Sequence, residues 1–475
     1  MPLPDLIEIV PLTKQVKAEI TVPGSKSITN RALILAALAQ GETKLLGALW
    51  SEDTQVMVEC LQKLGFSVNV APDPNEFSNR SITVRGLGGK IPNSGTAEKP
   101  LELFVGNAGT AARFVSALVC LGNGVYRLHG VPRMHERPQA ALFKALRELG
   151  YRIDSANDKL PAVIHGTGPR KGECTVSIQE SSQFASALLL GATVGGWQVK
   201  VVGDNAEESP YVAMTSKLIE AFPKNGGQFQ IEPDASSGSY FWAAGKLVDK
   251  PERLEYSKQF GIEVVTKISG TVVVGSWPNS GWQIDERFLD FLLSDSRLHA
   301  FQKLKKSCKP LNRERNGELL HEYLKSPKKM EISRMHDLGD SIMMAIVLRP
   351  LESESFRFTD LGRLRVQETE RVVALRTELT KCGAKVIEEG DTLTVYPSQL
   401  HGAEIETYND HRMAMCFAIL GLKVPGIKIK NPACVKKTFP NFFQKLAAAS
   451  PAGLGATILD AKTQRPLGHD ELFAD

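Results

Sequence analysis

Residues 53–70 read DTQVMVECLQKLGFSVNV, and this stretch decides the fold class. Val56, Val58, Leu61 and Leu64 recur at a mostly helical spacing, one apolar face of an amphipathic helix. Gly65 follows where a helix closes in the left-handed region, which a residue without Cβ enters freely. Phe66-Ser67-Val68-Asn69-Val70 then alternates apolar and polar, the period of a half-buried strand. The same order returns at 139–149 with Gly150 and Tyr151-Arg152-Ile153, at 252–260 with Gly261 and 262–265, and at 368–382 with Gly383 and 384–387. A looser copy ends at Phe222 before Gly226-Gly227. Other helices open on small polar residues: Ser27 or Thr29, Asn107 to Thr110, Ser181, Asp340 (as cap for 341–348), and Asn409 or Asp410. Helix and strand alternating throughout argue the α/β class. The irregular spacing excludes a short-period solenoid and favours a larger unit of roughly 70 to 85 residues used several times.

The chain has 475 residues, enough for two or three domains of about 150 each. With 42% hydrophobic and 23% charged residues it is neither disordered nor collagen-like. A net charge of +4 over this length does not suit a nucleic-acid binder but leaves anionic small molecules open. The 7 cysteines form no C-x-x-C pair and read as reduced core residues. The opening MPLPDL lacks the basic and apolar regions of a secretory signal, and no stretch approaches the roughly 20 apolar residues of a membrane span. A cytoplasmic location is therefore expected. A Lys/Arg-rich segment near 290–329 reads as a solvated insertion or, less simply, a docking patch for an acidic partner. The tail from about 450 shows little periodicity and is expected to be loosely held.

Several segments carry candidate chemistry. Val22 to Arg31, VPGSKSITNR, runs from a strand into a helix; free N–H groups there, with Lys26 and Arg31, suit an anion. A capped helix with surface charges explains that segment alone equally well, and the Gly-Lys-Ser/Thr order of a P-loop fails. Gly106-Asn107-Ala108-Gly109-Thr110 lets backbone amides approach a ligand, as a plain tight turn also does. Arg133 and Arg137 fit a carboxylate or phosphate unless Arg137 merely pairs with Glu136. Ser181-Ser182-Gln183 offers more polar groups than capping requires. Glu368 and Arg371 stand three apart, the spacing of a simple ion pair. Asp410-His411-Arg412 opens a helix, and Lys437 precedes the turn at Pro440. His411 reads as a structural histidine, and no metal-ligand spacing is present, so neither a metal nor another cofactor is expected.

Taken in order, PGSKSITNRAL, GNAGTA, RMHERP, SSQF, EPDASS, RVQETER, YNDHRMAM and KTFP resemble the 5-enolpyruvylshikimate-3-phosphate (EPSP) synthase family, from Pro23 to Pro440. The resemblance implies a two-domain inside-out α/β barrel, each domain built from three βαβαββ units. One domain would comprise 1–21 with 236–475, the other 22–235, the chain crossing near 21–23 and 233–236. It implies a transferase that moves the enolpyruvyl group of phosphoenolpyruvate to shikimate 3-phosphate; a monomer is expected, and charge and hydropathy lead to no expectation of nucleic-acid or membrane partners. Asp340 would take the 5-hydroxyl proton, with Lys26 and Glu368 serving the methylene carbon. Shikimate 3-phosphate would meet Lys26, Ser27, Arg31, Ser181, Ser182, Gln183, Ser209, Asp340, Arg363 and Gln367. Phosphoenolpyruvate would meet Lys26, Asn107, Gly109, Arg137, Gln183, Arg371, Asp410, Arg412 and Lys437.

Three departures stand out. The family usually has Lys where this chain has Gln367, and Ser where it has Glu208, so either Ser209 stands in by a small shift or a contact is missing. Arg363 occupies a usually small or polar position and is expected to supply the charge that Gln367 lacks. The sister transferase acting on a UDP-amino sugar typically uses a loop cysteine, and residues 133–138 contain none. A non-catalytic anion-binding homologue is the other reading, resting on Gln367 and Glu208.

Overall fold

The computed structural model describes residues 3–203, 209–248, 272–294 and 330–474. The repeat copy at 252–265, nearly all of the basic segment at 290–329, and Glu208 lie outside them. The helix–glycine–strand order is found where the hydrophobic spacing placed it. Helix Glu52–Lys63 closes at Gly65 (φ +91°) before strand Ser67–Pro72. Helices Ala140–Glu148 and Arg371–Lys381 close in the same way at Gly150 (φ +87°) and Gly383 (φ +91°). A side chain at any of the three would clash with its own backbone, so the stop is written by the residue type.

Each such element belongs to a sheet of one recurring pattern. Strands Leu101–Phe104 and Asn123–His129 run parallel around helix Gly109–Cys120. After helix Ala140–Glu148 the hairpin Arg152–Asp154 and Ala162–Thr167 folds back antiparallel onto the second strand. Strands Glu331–Ser333, Phe356–Thr359, Val386–Glu389 and Thr392–Val395 repeat that arrangement around helices Ile342–Leu348 and Arg371–Lys381. Two further four-stranded sheets have the same order of directions but are completed by distant segments. Gly227–Gln230 joins Gln40–Leu49, and Leu6–Ile9 joins Ile427–Lys430.

Burial divides into two clusters. One draws its apolar residues from between Ile28 and Ile231. The other draws on Leu3 to Val22 together with Tyr240 to Ala474. The connecting strands lie side by side, with Ser25 N donating to Glu232 O at 2.8 Å and Asp234 N to Pro23 O at 2.8 Å. Gly24 sits at this crossing, where a Cβ would stand 2.0 Å from the carbonyl oxygen of Gly47. Only glycine lets the crossing segment pass so close to the strand that carries Gly47.

The tail is not loose. Strand Ile458–Asp460 pairs antiparallel with Leu6–Ile9, and Leu454, Ile458 and Leu472 are buried. Its apolar residues are too few and too unevenly spaced for a periodic signal, yet each fills the second core. No helix among the described residues is long and apolar enough to cross a membrane.

Candidate active site

Between the two cores lies a cleft whose walls differ in chemistry. On the wall of the 28–231 core, helix Lys26–Leu38 begins one residue before Ser27, with Ser25 at its N-cap. Lys26 Nζ reaches Asp53 Oδ2 at 3.0 Å. Arg31, one turn further and buried, donates through Nε to Thr215 Oγ1 at 2.7 Å and through Nη2 to Ser186 Oγ at 2.9 Å. It also donates through Nη1 to Ser27 O at 2.9 Å. Hydroxyl and carbonyl oxygens thus take its hydrogen bonds, and burial pulls its pKa down to about 10.

Gly109 opens helix Gly109–Cys120 where two guanidiniums leave no room for a side chain: a Cβ would come within 2.6 Å of Arg113 Nη1 and 2.7 Å of Arg137 Nη2. Arg137 donates to Asn107 O at 3.0 Å and Arg113 to Pro138 O at 2.8 Å. The acid beside Arg137 is taken by its neighbour, as Arg133 pairs with Glu136 at 2.5 Å on the exposed side. Burial first, then the charge of Arg137, holds the Arg113 pKa well below its ordinary value. Ser182 caps helix Gln183–Gly195 by position, makes no side-chain capping bond and lines the cleft.

The opposite wall pairs its cations with acids. Asp340 receives Arg334 Nη2 at 2.6 Å on one oxygen and Arg412 Nη2 at 3.1 Å on the other, with Arg371 Nη1 at 4.0 Å. Burial alone would raise its carboxyl, but Arg412, Arg334 and Arg371 together hold it far below the carboxylate range. Asp340 was expected to cap the following helix. Ser341 holds that position, its N and Oγ both bonded to Asp285 Oδ1 at 2.9 and 2.5 Å. Asp340 is thereby left to face the cleft.

Arg371, also buried, meets Asp410 Oδ2 at 2.7 Å and Glu368 Oε2 at 2.8 Å. Glu368 lies before the helix that Arg371 begins, so the pair joins a loop to a helix start. Its second oxygen takes Lys437 Nζ at 3.2 Å. Burial opposes the charge on Glu368, yet Lys437, Arg371 and Lys26 depress its pKa well below the ordinary value. Asp410 caps helix His411–Gly421 by accepting from Arg412 N at 2.8 Å while also bonding Arg371. Burial and then Arg412 drive the His411 pKa well down.

The walls enclose a cavity of about 130 Å³. Lys26, Ser27, Arg31, Gly109, Arg137, Ser181, Ser182 and Gln183 face it from one side, and Asp340, Arg363, Gln367, Glu368, Arg371 and Arg412 from the other. One lysine, several arginines and several carboxylates drawn from positions 26 to 412 thus meet in one space.

The sequence profile of the family described as EPSP synthase (3-phosphoshikimate 1-carboxyvinyltransferase) matches residues 10–225 and 290–446. A protein of Trichormus variabilis named 3-phosphoshikimate 1-carboxyvinyltransferase is 36% identical over 93% of this chain and 98% of its own. One of the same name from Opitutus terrae is 35% identical over 94% and 98%. The chain belongs to the EPSP synthase family. Among solved structures, EPSP synthase from Acinetobacter baumannii superposes with a TM-score of 0.61 at 21% identity, covering 95% of this chain and 99% of that one. The enolpyruvyl transferase NikO from Streptomyces tendae gives 0.58 at 16% identity, over 96% and 99%. At those identities the likeness is one of fold, a mixed α/β architecture shared with EPSP synthases.

Four residues that the family motifs single out stand behind the cavity surface rather than on it. Asn107 offers its carbonyl to Arg137, Asp410 grips Arg371, Lys437 grips Glu368, and Ser209 is the buried N-cap of helix Pro210–Ala221. Conversely, the cavity is lined by Asp53, Arg113, Tyr211, Asp285, Arg334 and His411, which sequence reasoning had not placed there. Arg113 could have been found from its place four residues after Gly109, on the face that Gly109 presents. Arg334 follows a three-residue strand in a segment without any motif, so no local signal marks it.

Proposed function

We propose that this chain transfers the enolpyruvyl group of phosphoenolpyruvate to the 5-hydroxyl of shikimate 3-phosphate. The reaction releases phosphate and serves the route to chorismate and the aromatic amino acids. One observation carries the reading beside family membership: a carboxylate, Asp340, ringed by guanidiniums, facing a second wall of cations with mostly neutral partners. Two multiply anionic substrates need that many cations to be held together.

The ring hydroxyl adds to the enol carbon while the methylene gains a proton, and the tetrahedral product then expels phosphate. Asp340 accepts the hydroxyl proton. With three arginines holding it ionised it is a poor base, so substrate anions that draw on Arg412 and Arg371 restore its basicity. Glu368 is fixed as a carboxylate by Lys437 and Arg371, which leaves Lys26 to hold the proton destined for the methylene and Glu368 to receive or relay one. Arg137, Arg371 and Arg412 bind the carboxylate and phosphate of phosphoenolpyruvate, with Gly109 giving Arg137 room. Lys26, Ser27, Arg31, Ser181 and Ser182 bind the ring substrate, and Gln183 reaches both.

The two cores and the recurring sheet pattern support two lobes, 1–21 with 236–475 and 22–235, each an inside-out barrel of three βαβαββ units. A cytoplasmic monomer is part of the same reading. Phosphate release from phosphoenolpyruvate tests it. Release is expected with shikimate 3-phosphate and not with UDP-N-acetylglucosamine. The reverse preference would reassign the chain to the sister activity, and no release with either would make it a binding protein.

A further inference from the structure

We propose that Arg334 and Arg363 form a two-guanidinium clamp for the phosphate ester of the ring substrate, replacing the single cation that position 367 lacks. The inference rests on the reading above and names the residues that set its affinity for one substrate. Three observations on the acid-rich wall lead to it.

Gln367 carries no charge, and its carbonyl oxygen accepts from Arg371 Nη1, so it is committed to a neighbouring arginine. Arg363, from the short 3-10 turn Gly362–Val366, crosses the cleft and donates Nη2 to the backbone carbonyl of Ile178. That contact sets its guanidinium close before the start of helix Gln183–Gly195, whose Ser182 hydroxyl makes no capping bond. Arg334 lies beside it in the same cavity, with one Nη on Asp340. It is 7% exposed, and its buried Nε has no hydrogen-bond partner among the described residues.

A buried guanidinium beside a half-buried one is an electrostatic liability. Burial and then the charge of Arg334 bring the Arg363 pKa down to about 10. A backbone carbonyl and one shared carboxylate do not offset them. A phosphate dianion does, because it presents several acceptor oxygens to two planar donor forks. The free Ser182 hydroxyl and the helix start supply the remaining donors.

The test measures binding of shikimate 3-phosphate and of inorganic phosphate by calorimetry, and KM for each substrate by phosphate release. Arg363→Ala is expected to raise the Kd and KM of shikimate 3-phosphate on the order of 10- to 100-fold, leaving the KM of phosphoenolpyruvate within about twofold. Adding Gln367→Lys to that variant is expected to restore most of the loss, which a merely structural role for Arg363 would not allow. Arg334→Ala is expected to weaken the same ligand. An unchanged Kd for shikimate 3-phosphate in either single variant, or an equal rise for both substrates, overturns the clamp. A wild-type protein that releases no phosphate overturns the proposed reaction instead. In that case inorganic phosphate, bound by wild type and not by Arg363→Ala, still supports the clamp, and equal binding by both overturns it.

Discussion

Side by side, the two walls of the cleft solve the problem of burying arginine in opposite ways. The wall of the 28–231 core presents Lys26, Arg31, Arg113 and Arg137 against only Asp53 and Glu180. The facing wall presents four arginines against four acids, Asp234, Asp285, Asp340 and Glu368. On the first, guanidiniums rest on hydroxyls and carbonyls, and burial lowers the pKa values of Arg31 and Arg113. On the second, burial is outweighed by carboxylates that raise those of Arg371 and Arg412. The first wall holds positive charge in reserve for anions that arrive from outside. The second carries its own anions, Asp340 and Glu368 among them. The walls are thus divided between guanidiniums resting on neutral oxygens and guanidiniums paired with carboxylates.

That division breaks first if Asp340 is dispensable. Asp340→Asn keeps the shape and is expected to lower kcat on the order of 10²- to 10⁴-fold in a phosphate-release assay. A loss of less than tenfold would show that the second wall merely binds.

Glu368→Gln probes the same wall through stability. Leaving Lys437 and Arg371 without their shared acid is expected to cost about 3 kcal/mol near neutral pH by urea unfolding. The Glu368 carboxyl is depressed in the folded protein. Its contribution is therefore fully present above the ordinary carboxylate pKa of about 4.3 and lost as pH falls below it. The gap between wild type and variant should accordingly close in acid; a gap that stays constant with pH would mean that charge is not its source.

Gly109→Ala tests the first wall. The added methyl pushes against Arg113 and Arg137, so KM for phosphoenolpyruvate is expected to rise about tenfold with smaller change for the ring substrate. Equal effects on both would argue that the two guanidiniums are not a dedicated anion seat. Arg133→Ala sharpens the contrast at its smallest. The residue shares a motif with Arg137 but faces solvent, and its exposed pair with Glu136 is worth under about 0.5 kcal/mol. Both kcat/KM and the melting temperature are expected to stay at wild-type values.

Local pattern alone determined the class of the fold, because helix periodicity, strand alternation and a glycine stop depend on residues within one turn or two of each other. Motif chemistry likewise picked out Lys26, Arg137, Asp340, Glu368, Arg371 and Arg412. What the spacing could not tell was the partner of each charge. Arg137 faces the cleft and Arg133 solvent, Asp340 yields its capping position to Ser341, and Arg334 enters unannounced from a strand end. The tail also reads as loose until its scattered apolar residues meet the second core. Those outcomes depend on pairs separated by tens to hundreds of positions, which only tertiary packing brings within the few ångströms where charge and burial act.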